Sequence, residues 1–339
     1  MVSANYAKQR SLLRNPIREL DEHGRPYVIP GDIEPMGPEP VVVNQVKRKR
    51  FHKKKAKQET IIQRNVANSF ITQVTRILNK KTPSMIVLEG ERLIADAHDA
   101  GADITQVFYT HERHLKSSPV IKSIITNIKQ DLVSESDMKL VSRVVTPPGI
   151  IAICKKPSID SIKSKRDSRN IMPLTIITDG VRDPGNMGGL IRSASSSGSE
   201  QLIAGWDSID VWNPKVLRGG MGAHFRTPIR SDFSLQELKD SIKSYKKIYY
   251  AEADNTGHEE GKPYYHVDYF TSPSTQTALF VGGEAFGFSN DVMELMKECG
   301  AEKLSIPMAP GAQCLNSYVA ASIILFEMRR QFMKVILMD

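Results

Sequence analysis

The chain has 339 residues, 40% of them hydrophobic, and a formal net charge of +8. That is enough for two cored domains and a tail, and basic enough to favour an anionic partner. Three cysteines (Cys154, Cys299, Cys314) without a CxxC pair, and eight histidines without HExxH, encode neither a disulfide framework nor a metal site, and no apolar run reaches membrane-spanning length.

Residues 1–58 carry scattered prolines (Pro30, Pro35, Pro38, Pro40) and few apolar groups, the composition of a disordered basic extension. Its first 18 residues include Arg10, Arg14 and Arg18 and no acid, as transit segments do. Within 46–57 (VKRKRFHKKKAK) eight residues are Lys or Arg and none is acidic. Such a run suits either attraction to RNA or DNA phosphates or nuclear targeting. Next, Ile62, Val66, Phe70, Val74, Ile77 and Leu78 recur at helical spacing.

Met85–Gly101, Gln106–Thr110, Val120–Ile125, Asp131–Ser136 and Gly149–Cys154 alternate apolar with amphipathic segments, predicting a small α/β domain over 59–157. Polar Ser158–Asn170 marks a linker over 158–172. In the second domain, 173–339, strands are predicted at Leu174–Thr178, Gln201–Ala204, Lys247–Ala251, Ala278–Gly283 and Lys303–Met308. Helices begin near Asn186 as N-cap, near Ser234 with Glu237 completing a capping box, and near Ser289. Repeated βα order implies an α/β fold with a parallel sheet covered on both faces.

Ligands of such sheets collect at the carboxyl ends of the strands, and three glycine-bearing corners fall there. The first, DGVRDPGNMGGLIRSA (179–194), hands a strand to a helix N-terminus, which suits an anion, although an ordinary strand–helix corner reads the same way. Its glycines, Gly185, Gly188 and Gly189, miss the GxGxxG spacing, so Asp207 about 20 residues on does not make a dinucleotide site. The second corner is GGEAFGF (282–288), and the third, IPMAPGAQCLNS (306–317), enters the apolar run YVAASIILFEMRRQF.

Together, in this order and spacing, the three corners resemble the motifs of the SpoU (TrmH-like) branch of the SPOUT RNA 2′-O-methyltransferases. The likeness covers nearly all of residues 173–335, and residues 85–155 resemble the small ribosomal-protein-like, RNA-binding domain that precedes the catalytic domain there. Trp212–Ile229 (WNPKVLRGGMGAHFRTPI) is similar to the mitochondrial large-subunit rRNA branch.

The resemblance implies a deep trefoil knot formed by the second and third motifs, which builds an S-adenosylmethionine pocket on Gly282, Gly283, Ile306, Pro307 and Leu315. It implies catalytic roles for Asn186, Arg192, Glu284 and Asn316, a homodimer joined through the C-terminal helix, and a mitochondrial matrix enzyme acting on large-subunit rRNA, most often at a guanosine. One departure is Cys314, where the family has Ser; a thiol is a weaker hydrogen-bond donor. A non-catalytic rRNA-binding assembly factor and a tRNA-directed enzyme are the alternative readings. His224 and Arg226 are read either as RNA contacts or as turn-stabilising groups.

Overall fold

The protein is described from a computed structural model, which covers residues 19–20, 23, 26–27, 43–79, 84–205, 207–231, 233–251, 261–284, 287–311 and 314–338. The chain divides into two compact units, residues 1–59 and 60–339. In the first, β1 (Glu19–Leu20) and β2 (Pro26–Tyr27) pair antiparallel. Helix α1 (Val43–Leu78) starts well before Ile62 and contains the basic run, which the sequence reading had placed in a disordered arm. Lysine and arginine are good helix formers, so a run of them that builds no core still does not oppose helix. The transit-like segment 1–18 lies outside the described residues.

The smaller domain is built on a four-stranded sheet in the order β3 (Met85–Glu89), β6 (Ile150–Lys155), β4 (Ile104–Tyr109), β5 (Lys129–Leu132); β4 and β5 are parallel and the other neighbours antiparallel. Its side chains alternate between two cores. Phe70, Val74 and Ile77 of α1 pack with Val87, Phe108, Ile151 and Ile153 on one face. On the other, Ile86, Leu88, Val107 and Ile150 meet Leu93, Ile94 and Ala97 of α2 (Glu91–Asp99) and Ile121 and Ile124 of α4 (Pro119–Ile125), with the short α3 (Glu112–Leu115) between those two helices. Helix α5 (Glu135–Val141) precedes β6, and α6 (Ile159–Lys163) opens the linker. Two adjacent residues tie the linker to both domains: Lys165 donates to the Ala100 and Gly101 carbonyls, and Arg166 to those of Ser199 and Glu200.

The larger domain holds a seven-stranded, wholly parallel sheet. In chain order its elements are β7 (Met172–Asp179), α7 (Pro184–Ser197), β8 (Ser199–Ala204), α8 (Pro214–Gly220), β9 (Ile229–Arg230), α9 (Leu235–Ile242), β10 (Lys247–Ala251), β11 (Lys262–Pro263), β12 (Thr277–Gly282), α10 (Asn290–Glu298), β13 (Glu302–Ser305) and α11 (Ser317–Met338). The spatial order is β11, β13, β10, β12, β7, β8, β9. Strict alternation along the strands sends Leu174, Ile176, Leu202, Leu279 and Val281 toward α7, α8 and α11, and Ile177, Ile203, Ala278 and Phe280 toward α9 and α10. The predicted Ser234–Glu237 capping box is formed.

After β13 the chain must return across the sheet. Strands β10 and β12 lie between β13 and β7, yet α11 packs on α7, where the Ser193 and Ser322 hydroxyls hydrogen-bond at 2.7 Å. The span is three strand spacings, about 14 Å. The chain between β13 and α11 therefore crosses from one side of β10 and β12 to the other.

The glycines of the first corner set the helix packing. A Cβ on Gly188 would stand 2.8 Å from Gly219 Cα and from the Val216 carbonyl oxygen, and one on Gly189 would stand 2.7 Å from the Tyr318 ring. Backbone cannot yield as a side-chain tip can, so α7 and α8 approach only because Gly188 lacks a side chain. Gly188→Ala is expected to lower unfolding free energy by about 1–3 kcal/mol, read as a fall in the urea midpoint.

Candidate active site

Strand β7 ends at Asp179, and Gly180 turns the chain with φ +65°. Asp183 then caps α7: its Oδ1 accepts from Asn186 N at 2.9 Å, with Pro184 at the first helical position. This corrects the reading of Asn186 as the N-cap. An aspartate immediately before a proline is itself a cap signal, and it was passed over. The helix N-terminus thus carries the protein's own anion rather than a ligand's.

Placed one turn into α7, Asn186 is free to use its side chain elsewhere. It is 7% exposed, and its Oδ1 accepts a hydrogen bond from Asn316 Nδ2 at 3.0 Å. Asn316 is fixed in turn, because its Oδ1 accepts from Tyr318 N at 3.1 Å at the start of α11. Two residues separated by 130 positions, one from the first corner and one from the third, are therefore directly joined.

Arg192 lies on the exposed side of α7, where its Nη1 donates to Met221 Sδ at 3.0 Å. Arg182, also from this corner, pairs with Asp207 at 2.5 Å, so that aspartate serves an ion pair. His224 is fully buried; its Nε2 lies 2.9 Å from the Val211 carbonyl and its ring packs near Trp212. It therefore braces the turn and does not face RNA, while Arg226 is exposed.

The second corner is a tight loop in which Gly283 and Gly287 exchange backbone hydrogen bonds of 3.2 and 3.1 Å. A Cβ on Gly283 would meet the Gly180 carbonyl oxygen at 2.2 Å, so the first and second corners touch through bare backbone. Asp179, 3% exposed, ties them again by accepting from Ser289 N at 2.6 Å. Sequence reading missed Asp179; its signal was a carboxylate at the carboxyl end of a buried strand. Glu284 projects exposed from this loop and bonds neither asparagine nor Arg192 among the described residues.

In the third corner Ile306 and Leu315 are half-buried and Pro307 and Cys314 are exposed. Ile306 packs against the core. The glycine loop from β12 and the crossing from β13 thus face the same end of the sheet. A glycine loop without side chains and the apolar Ile306 and Leu315 suit a flat, neutral base, which fits the adenosine portion of S-adenosylmethionine. Asn186 and Asn316 are brought together, Gly282 and Gly283 lie against Asp179 and Gly180 of the first corner, and Arg192 stands about two turns further along α7.

Residues 173–326 match the SpoU rRNA Methylase family, and residues 87–159 match RNA 2′-O ribose methyltransferase substrate binding. The human protein named rRNA methyltransferase 3, mitochondrial, is 34% identical over 287 residues, which is 73% of this chain and 67% of the human one. The Bacillus subtilis 23S rRNA (guanosine(2553)-2′-O)-methyltransferase RlmP is 27% identical over 244 residues, 72% of this chain and 88% of its own. The AdoMet-bound rRNA methyltransferase structure from Sinorhizobium meliloti aligns with a TM-score of 0.59 and 25% identity, covering 78% of this chain and 95% of that one.

Two measurements test the local architecture. Asp183→Ala is expected to cost about 1 kcal/mol of stability through loss of the cap, measured by denaturant unfolding. Burial pushes the His224 imidazole down from 6.5 to about 4, with the Val211 carbonyl opposing weakly. The unfolded chain therefore takes up this proton first, so the contribution of neutral His224 is complete above about pH 6.5 and is lost as pH falls toward 4. Urea unfolding across that window is expected to show the decline, and His224→Phe to flatten it.

Proposed function

The chain belongs to the SpoU rRNA methylase family, and from that premise we propose that it methylates a ribose 2′-hydroxyl of large-subunit rRNA in the mitochondrial matrix, with S-adenosylmethionine as methyl donor. The observation that carries the reading is the Asn186–Asn316 bond, which closes the first corner against the third beside the glycine loop. Relatives named for mitochondrial rRNA and for guanosine-2′-O methylation support the substrate class, with guanosine as the nucleotide.

Bound S-adenosylmethionine supplies a methyl group already activated by its sulfonium, held by the backbone of Gly282 and Gly283 and by Ile306, Pro307 and Leu315. The protein's own task is to align the 2′-oxygen with that methyl and to stabilise the charge that develops. Arg192 cannot act as a base, because a guanidinium stays protonated at any working pH. It clamps a substrate phosphate through its planar fork and offsets the negative charge developing on the oxygen. Asn186 has spent its Oδ1 on Asn316, which leaves its Nδ2 to direct the ribose, and Glu284 orients the nucleotide from the exposed loop. The hydroxyl proton becomes acidic only as the new O–C bond forms, so a phosphate oxygen or water suffices to accept it.

A second copy of the chain completes the unit in this reading. Phe326 is 51% exposed and Leu337 and Met338 more than 80% exposed along α11, an apolar side that a homodimer would cover. The competing assembly-factor reading rests on Cys314, whose exposed thiol replaces the family's serine.

Labelled methyl transfer to mitochondrial RNA, mapped by resistance to alkaline cleavage, tests the proposal. One protected ribose in large-subunit rRNA is expected, Arg192→Ala abolishing transfer while cofactor binding persists. Absence of transfer with rRNA binding retained, and recovery in Cys314→Ser, would favour the assembly factor.

A further inference from the structure

Arg192 is held differently from the arginines of this domain and its linker that pair with carboxylates. Arg182 is neutralised by Asp207 at 2.5 Å, Arg169 by Asp167 at 3.2 Å and Arg330 by Glu327 at 2.6 Å. No carboxylate lies within ion-pair distance of Arg192 among the described residues; its side-chain bond goes to the thioether of Met221 at 3.0 Å. A thioether is a weak, uncharged acceptor. It can fix the plane of a guanidinium without competing with a phosphate for its charge.

Met221 occupies a backbone position that a side chain disfavours. Its φ of 46° and ψ of 53° lie in the left-handed region, and among the described residues no other non-glycine has positive φ. Glycines flank it on both sides, as Gly220 and Gly222, so glycine is the residue expected here on backbone grounds. Strain that is retained for a particular side chain points to a use for that side chain.

The surrounding packing makes the position rigid. A Cβ on Gly219 would stand 3.4 Å from Gly188 Cα, one on Gly220 would strike the buried His224 ring at 2.4 Å, and one on Gly222 would strike Asp96 of α2 at 2.6 Å. The loop carrying Met221 is thereby locked to α7, the helix that carries Arg192, and to the small domain. We infer that Met221 is a positioning residue for Arg192, aiming the guanidinium at the RNA phosphate while leaving its charge unspent. The inference rests on the proposed role of Arg192 and adds to it a partner that sets its orientation.

The test uses the full chain in single-turnover methyl transfer to its RNA, with calorimetry of S-adenosylmethionine binding and a thermal midpoint for every variant. Met221→Leu keeps bulk and removes the acceptor; Met221→Gln restores an uncharged acceptor at similar reach. The expected result is a fall of roughly tenfold or more in the transfer rate for Met221→Leu, with cofactor affinity and midpoint unchanged, and recovery of most of the rate in Met221→Gln. A wild-type rate in Met221→Leu beside an inactive Arg192→Ala overturns the role of Met221 alone. Equal losses in the Leu and Gln variants, or a midpoint falling in parallel with rate, overturn it in favour of a packing role. Full turnover in Arg192→Ala overturns the underlying reading of Arg192 and this inference with it.

Discussion

The side-chain hydrogen bond from Asn316 to Asn186 is the closure on which the candidate site depends. A parallel sheet delivers each of its loops to the same end, but at different strands, and nothing in strand pairing brings the loop after β13 back to the helix after β7. That return is set by the packing of α11 on α7, where Gly189 receives the Tyr318 ring and Ser193 meets Ser322. The asparagine pair is the polar end of this apolar contact. Because Asn186 is nearly buried, leaving its carbonyl unpaired would carry a desolvation penalty of about 1–3 kcal/mol, so the pair is fixed by more than its own net strength.

Around that closure the glycines act by omission. Gly188 and Gly283 each face backbone at distances that exclude a Cβ, the first letting α7 lie against α8 and the second letting the loop after β12 rest on Gly180. Bare backbone then surrounds the position proposed for the methyl donor, and Asp179 pins the loop to β7 from below. Rigid main chain is a better mould for one ligand geometry than mobile side chains, since little ordering remains to be done on binding. The same economy applies to Arg192, whose neutral partner fixes its direction and leaves its charge available.

The charge distribution separates attraction from chemistry. The site itself displays single, specific cations, whereas eight basic residues are concentrated in 46–57 on α1. A run of this charge attracts a polyanion without reading its sequence. In the proposed reading, selection of one ribose falls to the small domain and to the exposed groups of the three corners.

Much of this molecule is written locally. Alternating apolar runs define the strands of both sheets, the parallel order follows from their alternation with helices, and three motifs in fixed order identify the family and the candidate residues Asn186, Arg192, Glu284 and Asn316. The Ser234–Glu237 cap is legible because its hydrogen bonds join residues three apart. What required the folded chain was everything set by contacts between distant segments: Asp183 taking the cap that Asn186 was expected to fill, Asn186 turning instead to Asn316, the glycines serving close packing rather than an anion, and Met221 lying under Arg192. Local rules carry propensity and periodicity, which act within a few residues. A hydrogen bond across 130 positions, or a space too small for one methyl group, exists only once the sheet order has placed those segments side by side.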